Sequence, residues 1–129
     1  MSATAIPLFR TYQQRAYGSQ ASLVMKQLLD AQILYYLDKN KFYPEVGNMV
    51  QVYQDYSQNN EEILSIAGAL NVTIPVGNHL DYNIRSEKFE GGERCFIMIT
   101  AQFPLFKNRA RELWGEARSD GYVGIYTVN

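Results

Sequence analysis

The chain has 129 residues, a net charge of -1 and one cysteine, Cys95. That length sets a single domain as the expectation, and the near-neutral balance gives no general attraction for nucleic acid or anionic lipid. One cysteine excludes an internal disulfide and a cysteine-built metal cluster, and within Cys95-Phe96-Ile97-Met98-Ile99 it reads as a buried, inert thiol. No signal peptide is visible, and no apolar run approaches the roughly 20 residues of a membrane span.

The first element dominates the chain. It opens on the apolar run Ala3-Thr4-Ala5-Ile6-Pro7-Leu8-Phe9, without a cap before it, which suggests a shortened N-terminus headed by an added Met1-Ser2. From Leu8 to Lys39 there is one glycine, Gly18, and no proline, so an unbroken helix of about 30 residues and about 45 Å is predicted. Tyr17, Ala21, Val24, Leu28, Ala31 and Tyr35 recur at alternating steps of four and three, marking one apolar stripe. Arg15, Ser19, Ser22, Lys26 and Asp30 fall on the opposite side. Further on, Ile33 to Leu37 are consecutive and apolar, so the last turns call for cover on more than one side. Pro7 fits a first helical position, and Pro44 forces the helix to stop before Tyr43.

Residues 45–58 read as a polar connection dotted with Tyr53 and Tyr56. A short helix follows, with Asn59 as cap, Glu62 three residues on, and Ile63, Ile66, Ala67 and Leu70 at helical spacing. Asn71 to His79 contains Pro75 and Gly77-Asn78 and reads as a loop. The period then switches to two. Leu80, Tyr82 and Ile84 alternate with Asp81, Asn83 and Arg85, Gly91-Gly92 supplies a turn, and Arg94 to Phe103 forms the second strand of a hairpin. Asn108 to Trp114 has some helical character, but the turn Ser119-Asp120-Gly121 between Trp114–Ala117 and Tyr122–Val128 favours another hairpin. The predicted fold is α+β in one domain, residues 1–129: a long helix over 1–40, a connecting region with a short helix over 41–79, and an antiparallel sheet of three or four strands over 80–129.

Chemistry finds little foothold. His79, the one histidine, suits a surface turn better than a catalytic base, and no thiol or second histidine completes a nucleophilic arrangement. Glu61 and Glu62 suit a helix N-terminus, while Glu90 and Glu93 flank a glycine turn. The spacing of the carboxylates fits no EF-hand, and a calcium site at Ser119-Asp120-Gly121 is the weaker reading. Neither glycine cluster is followed by the Lys-Ser/Thr pair of a phosphate loop. Tyrosine-rich composition suits half-covered contacts, with Tyr12, Tyr53, Tyr56 and Phe106 as interface candidates. The expectation is a non-enzyme with no cofactor, no metal and no nucleic-acid partner.

Two signatures resemble the type IV pilin and pseudopilin family. Ala3 to Phe9 looks like the second half of that family's hydrophobic N-terminal segment with its proline, continued by Tyr12 and Arg15-Ala16-Tyr17. Ala31-Gln32-Ile33-Leu34-Tyr35-Tyr36-Leu37-Asp38-Lys39-Asn40-Lys41-Phe42-Tyr43-Pro44 looks like the family's helix end. The likeness covers about 42 residues, and 45–129 match in type alone. The leader, the Gly-Phe cleavage site, the glutamate of the apolar segment, the paired cysteines and the calcium-binding loop of major pseudopilins do not occur in this sequence.

The resemblance implies a pilin-like fold and a structural subunit of a type IV pilus or related filament, with a type II secretion pseudopilin as the alternative. It implies an assembly interface at Ile6, Pro7, Leu8, Phe9, Tyr12 and Ala16, which precede the region a small sheet can cover. The partners implied are other pilin subunits, the pilus or secretion assembly machinery, and the inner membrane through a missing N-terminal segment. The localisation implied is the periplasmic face of the inner membrane, then a surface pilus or periplasmic pseudopilus. A different class of function, a soluble α+β ligand- or protein-binding module, predicts instead a closed apolar pocket lined by tyrosines and a helix covered along its whole length.

Overall fold

The computed structural model describes the backbone of residues 2–53, 60–75 and 79–128, and side chains within 15–53, 61–75 and 79–128. The elements run α1 (Ser2–Lys39), β1 (Met49–Val52), α2 (Asn60–Leu70), β2 (Asp81–Phe89), β3 (Gly92–Thr100), β4 (Glu112–Arg118) and β5 (Val123–Val128). The strands form one sheet in the order β1-β2-β3-β4-β5, every neighbouring pair antiparallel. The protein is thus α+β, a long helix and a shorter one on one face of an antiparallel sheet.

Both helices end the same way. Asn40 takes φ 58° and Asn71 φ 57°, and their N–H groups reach Tyr36 O at 2.7 Å and Ala67 O at 2.9 Å. An asparagine tolerates the left-handed conformation that closes a last turn, so each helix stops at the residue before it. Beyond α1, Gln32 holds the returning chain. Its Oε1 accepts the Tyr43 N–H at 2.9 Å, and its Nε2 donates to the Tyr43 carbonyl. Gln32 is fully buried, and this two-way bond to the backbone of one residue supplies partners for its amide.

The core lies between α1 and the covered face of β2, β3 and β4. Val24, Met25, Leu28 and Leu29 of α1 pack there with Ile84, Ile97, Ile99, Leu113 and Ala117, while Ile66 and Leu70 of α2 close one side with Val72, Ile74 and Leu80. Each fully buried aliphatic side chain contributes about 1.5–3 kcal/mol. Two glycines set how closely the helix approaches. A Cβ on Gly115 would stand 2.4 Å from Met25 Sδ, and a Cβ on Gly18 2.3 Å from the Leu105 carbonyl oxygen. The predicted stripe faces the sheet, but the covered arc is wider than the stripe. It takes in Met25 and Leu29, which Gly115 lets settle onto β4, and Gln32, which the chain returning at Tyr43 meets.

Several expectations change. The sheet has five strands rather than three or four, because Met49–Val52 within the predicted connection pairs with β2. Of its residues, Val50 and Val52 face the core side, too short an alternation to stand out in sequence. The first hairpin turns at Glu90-Gly91 and β3 begins at Gly92, with Phe89 opposite Gly92, one residue earlier than Gly91-Gly92 suggested. The final hairpin is present, and residues 101–111 form its irregular approach rather than a helix. Pro7 is not at a first helical position: α1 begins at Ser2 and runs through it, so that turn lacks the N–H proline cannot supply. The expected Asn59 cap and Tyr56 lie outside the described residues.

Candidate assembly surface

One side of α1 is turned away from the sheet, and it is mixed: apolar residues stand exposed there among Ser19, Lys26, Gln27 and Asp30. Leu23 is 57% exposed, Leu34 67% and Leu37 76%, and Ala16 is also exposed. At 3.6 residues per turn these positions fall on one crest of the helix, opposite Leu28 and Met25. The cover expected for the all-round apolar turns is therefore half supplied. Tyr35, Tyr36 and Ile33 pack against the core cluster, with Tyr36 against Phe42 at 4.7 Å between ring centres, while Leu34 and Leu37 stay bare. A solvent-facing row of leucines along a helix is a surface that loses free energy when another apolar surface covers it.

Of the residues expected to form an assembly interface, Ile6, Pro7, Leu8, Phe9 and Tyr12 lie along the backbone of α1, with side chains outside the described set. Ala16 is described, and it continues the exposed crest one step below Leu23. Sequence reading missed Leu23, Leu34 and Leu37 as a single row. The signal was present: each falls off the sheet-facing stripe, and apolar residues there have no partner within the domain.

Open grooves flank the crest. On the side away from α2, Arg15, Ser22, Leu23 and Lys26 face Phe106 and Lys107 of the 101–111 loop. That loop carries Lys107, Arg109 and Arg111 and no carboxylate. On the α2 side, Asp30, Leu34 and Asp38 face Leu70 to Thr73, with Lys39 3.8 Å from Asp38. A third groove between α2 and β1 holds Glu61 and Glu62. The three grooves are open channels along the elements, shaped for an elongated surface more than for an enclosed small molecule.

The outer face of the sheet is knitted by charge and aromatic rings. Glu116 is 3% exposed and accepts hydrogen bonds from Arg94 Nη1 at 2.8 Å and Arg118 Nε at 3.0 Å. Burial pushes its carboxyl up, and the two guanidiniums outweigh this and hold it below the usual range. Arg94 also donates to Glu87 at 2.7 Å. Phe96 and Trp114 meet edge to face at 5.3 Å, with Tyr126 6.0 Å beyond, and Arg85 and Arg94 lie over Phe96. Every charge in this cluster but Arg85 is paired, so it reads as structural cement for the uncovered face.

His79 is exposed, takes φ 60° and stands edge-on to Tyr17 at 6.0 Å. Cys95 is fully buried, and desolvation pushes its thiol up to about 12, which leaves it protonated and unreactive. Ser119 and Asp120 shape the last turn, accepting the Glu93 N–H at 3.1 Å and the Tyr122 N–H at 3.1 Å. Among the described residues, no three His, Cys, Asp or Glu side chains converge on a metal-sized site, and no helix is long and apolar enough to cross a membrane. Tyr53, 41% exposed, and Phe106, half-buried in the first groove, are the described members of the predicted interface tyrosine and phenylalanine set. Comparison of the chain with protein families, with curated proteins and with solved structures finds no match.

Proposed function

We propose that this chain is a structural subunit of a filament of the type IV pilin or pseudopilin kind, assembling through α1. The observation that carries the reading is the crest of Leu23, Leu34 and Leu37, exposed on a helix of 38 residues whose other side is already packed on the sheet. Such a helix keeps bare leucines on its outer side as well, among exposed Lys26, Gln27 and Asp30, and neighbouring subunits or lipid would cover them. The pilin-like order of a long helix followed by an antiparallel sheet agrees with the resemblance of Ala3–Phe9 and Ala31–Pro44. On this reading Ile6, Pro7, Leu8, Phe9, Tyr12 and Ala16 continue the contact toward the N-terminus. The role is mechanical, and the chain carries no catalytic step.

The reading predicts that the native gene encodes about 15–20 further apolar residues upstream, completing a membrane span. Expressed from that gene with its assembly machinery, the protein should appear in filaments by immuno-electron microscopy. Leu34→Glu/Leu37→Glu should abolish them while the purified variant keeps its melting temperature. A reading frame that begins at Met1, yielding a protein that stays monomeric, would overturn the proposal.

A further inference from the structure

The free edge of the sheet at β5 is unprotected. β5 is six residues long, carries no charge and no proline, and pairs with β4 alone among the described residues. Proteins blunt such an edge with lysine, proline or a very short strand. β1, the opposite edge, has four residues and lies beside α2, where Glu61, Glu62 and Ser65 face Met49 to Gln51. The hydrogen-bond pattern fixes which groups β5 leaves free. Arg118 donates its N–H to the Tyr122 carbonyl at 2.8 Å, and hydrogen-bonded pairs alternate along an antiparallel ladder. Gly124 and Tyr126 therefore bond toward β4, while the N–H and C=O groups of Val123, Ile125 and Thr127 point outward. The side chains of those three share the helix-side face, opposite Ala117, Gly115 and Leu113, and all three are exposed.

We infer that a second copy of this chain pairs its β5 antiparallel with the first, Ile125 opposite Ile125, joining two five-stranded sheets into one. In this register Val123 meets Thr127 and Ile125 meets its own equivalent, so every outward N–H and C=O of the strand is satisfied. A shift of one residue sets outward groups against inward ones. A shift of two leaves an outward residue with no partner within β5. On the outer face Tyr126 lies opposite Gly124, which has no side chain to compete for the space.

Charges at the two ends of the edge set its direction. Exposed Asp120 lies in the turn that leads into β5. At the far end Asn108 donates to Thr127 Oγ1 at 2.9 Å, which holds the loop bearing exposed Lys107 and Arg109 beside the strand. None of these three charges enters an ion pair within 4 Å among the described residues. Antiparallel pairing brings the Asp120 turn of each copy to the cationic loop of the other, whereas parallel pairing would set like charges together at both ends. The contact is two-fold and closes at a dimer, since each copy uses its one long edge. It lies away from the exposed leucines of α1 and sets the two α1 helices antiparallel. It therefore goes beyond the filament reading and does not rest on it.

Cysteine scanning of the purified chain reads the register, since buried Cys95 does not compete. Under mild oxidation Ile125→Cys should link to itself as a dimer. Val123→Cys and Thr127→Cys should each stay unlinked alone and link when mixed. In sedimentation, Ile125→Lys and Ile125→Glu should each be monomeric, because like charges would face one another, and an equimolar mixture should restore the dimer. Ile125→Pro removes an outward N–H and no ladder bond within the chain, so it should abolish the dimer and keep the melting temperature. Lys107→Glu/Arg109→Glu should weaken the dimer about tenfold. Val123→Cys linking to itself, or a dimer that survives both Ile125→Lys and Ile125→Pro, would overturn the edge pairing. A chain that stays monomeric at millimolar concentration would overturn it too, and would leave the filament reading to its own test.

Discussion

Glu116 shows how a single residue holds the uncovered side of the sheet together. Its carboxylate is buried, lowered in pKa, and shared between Arg94 and Arg118. Because ionised Glu116 is the favoured form in the fold, its contribution is complete above the ordinary glutamate value near 4.3 and is lost as pH falls through its lower folded-state value. Glu116→Gln should cost about 2 kcal/mol at neutral pH and flatten the acid-side fall in stability, as urea titrations at pH 7 and at about pH 3 would show. Gly18 poses a contest of signs. Alanine in a helix interior normally gains about 1 kcal/mol over glycine, yet the new Cβ would stand 2.3 Å from the Leu105 carbonyl oxygen. A backbone atom cannot swing aside, so Gly18→Ala should destabilise by about 1–3 kcal/mol, read from its thermal midpoint.

At the scale of elements, α1 has a buried apolar side and a mixed outer side with exposed leucines, and the two differ in consequence. Leu28 is fully buried under the sheet, and Leu28→Ala should cost about 3 kcal/mol through lost burial and the cavity left behind. Leu34→Ser and Leu37→Ser change exposed positions and should move stability by no more than about 0.5 kcal/mol. Chemical denaturation of these variants side by side checks the contrast. Equal losses at the two sites would mean that the crest is packed within the lone chain after all. The sheet-facing stripe was legible because a period of 3.6 recurs through five turns. Met25 and Leu29 were not, since their fit against the sheet depends on Gly115, more than eighty residues away in sequence. β1 was hidden for a similar reason: its two inward valines acquire meaning only beside Ile84 and Tyr82, to which they are registered.

For the molecule as a whole, the decisive features are surfaces that no element owns alone. The basic groove is made by α1 with the 101–111 loop, the acidic one by α1 with the end of α2. Arg15→Glu/Lys26→Glu should leave the melting temperature within about a degree, since both side chains are exposed and enter no ion pair within 4 Å among the described residues. Differential scanning calorimetry of the variant beside the parent reads this directly, and a larger drop would mean that the groove charges support the fold. The edge strand β5 adds a further exposed apolar region, with Val123 46% and Ile125 42% exposed, on the flank that carries the basic groove.

The amino-acid sequence by itself determined the two helices and the two hairpins in their order, the stripe from Tyr17 to Tyr35 that α1 turns toward a core, the inert thiol at Cys95, and the exclusion of an internal disulfide. These follow from local rules: a helical or alternating period, a proline that stops an element, a glycine turn. Only the tertiary structure decided how wide an arc of α1 is covered, that a fifth strand joins the sheet, and which distant side chains line the grooves on either side of the helix. Those outcomes depend on which distant segments meet. A sequence states the spacing of residues along one element, whereas the packing of two elements sets what remains uncovered.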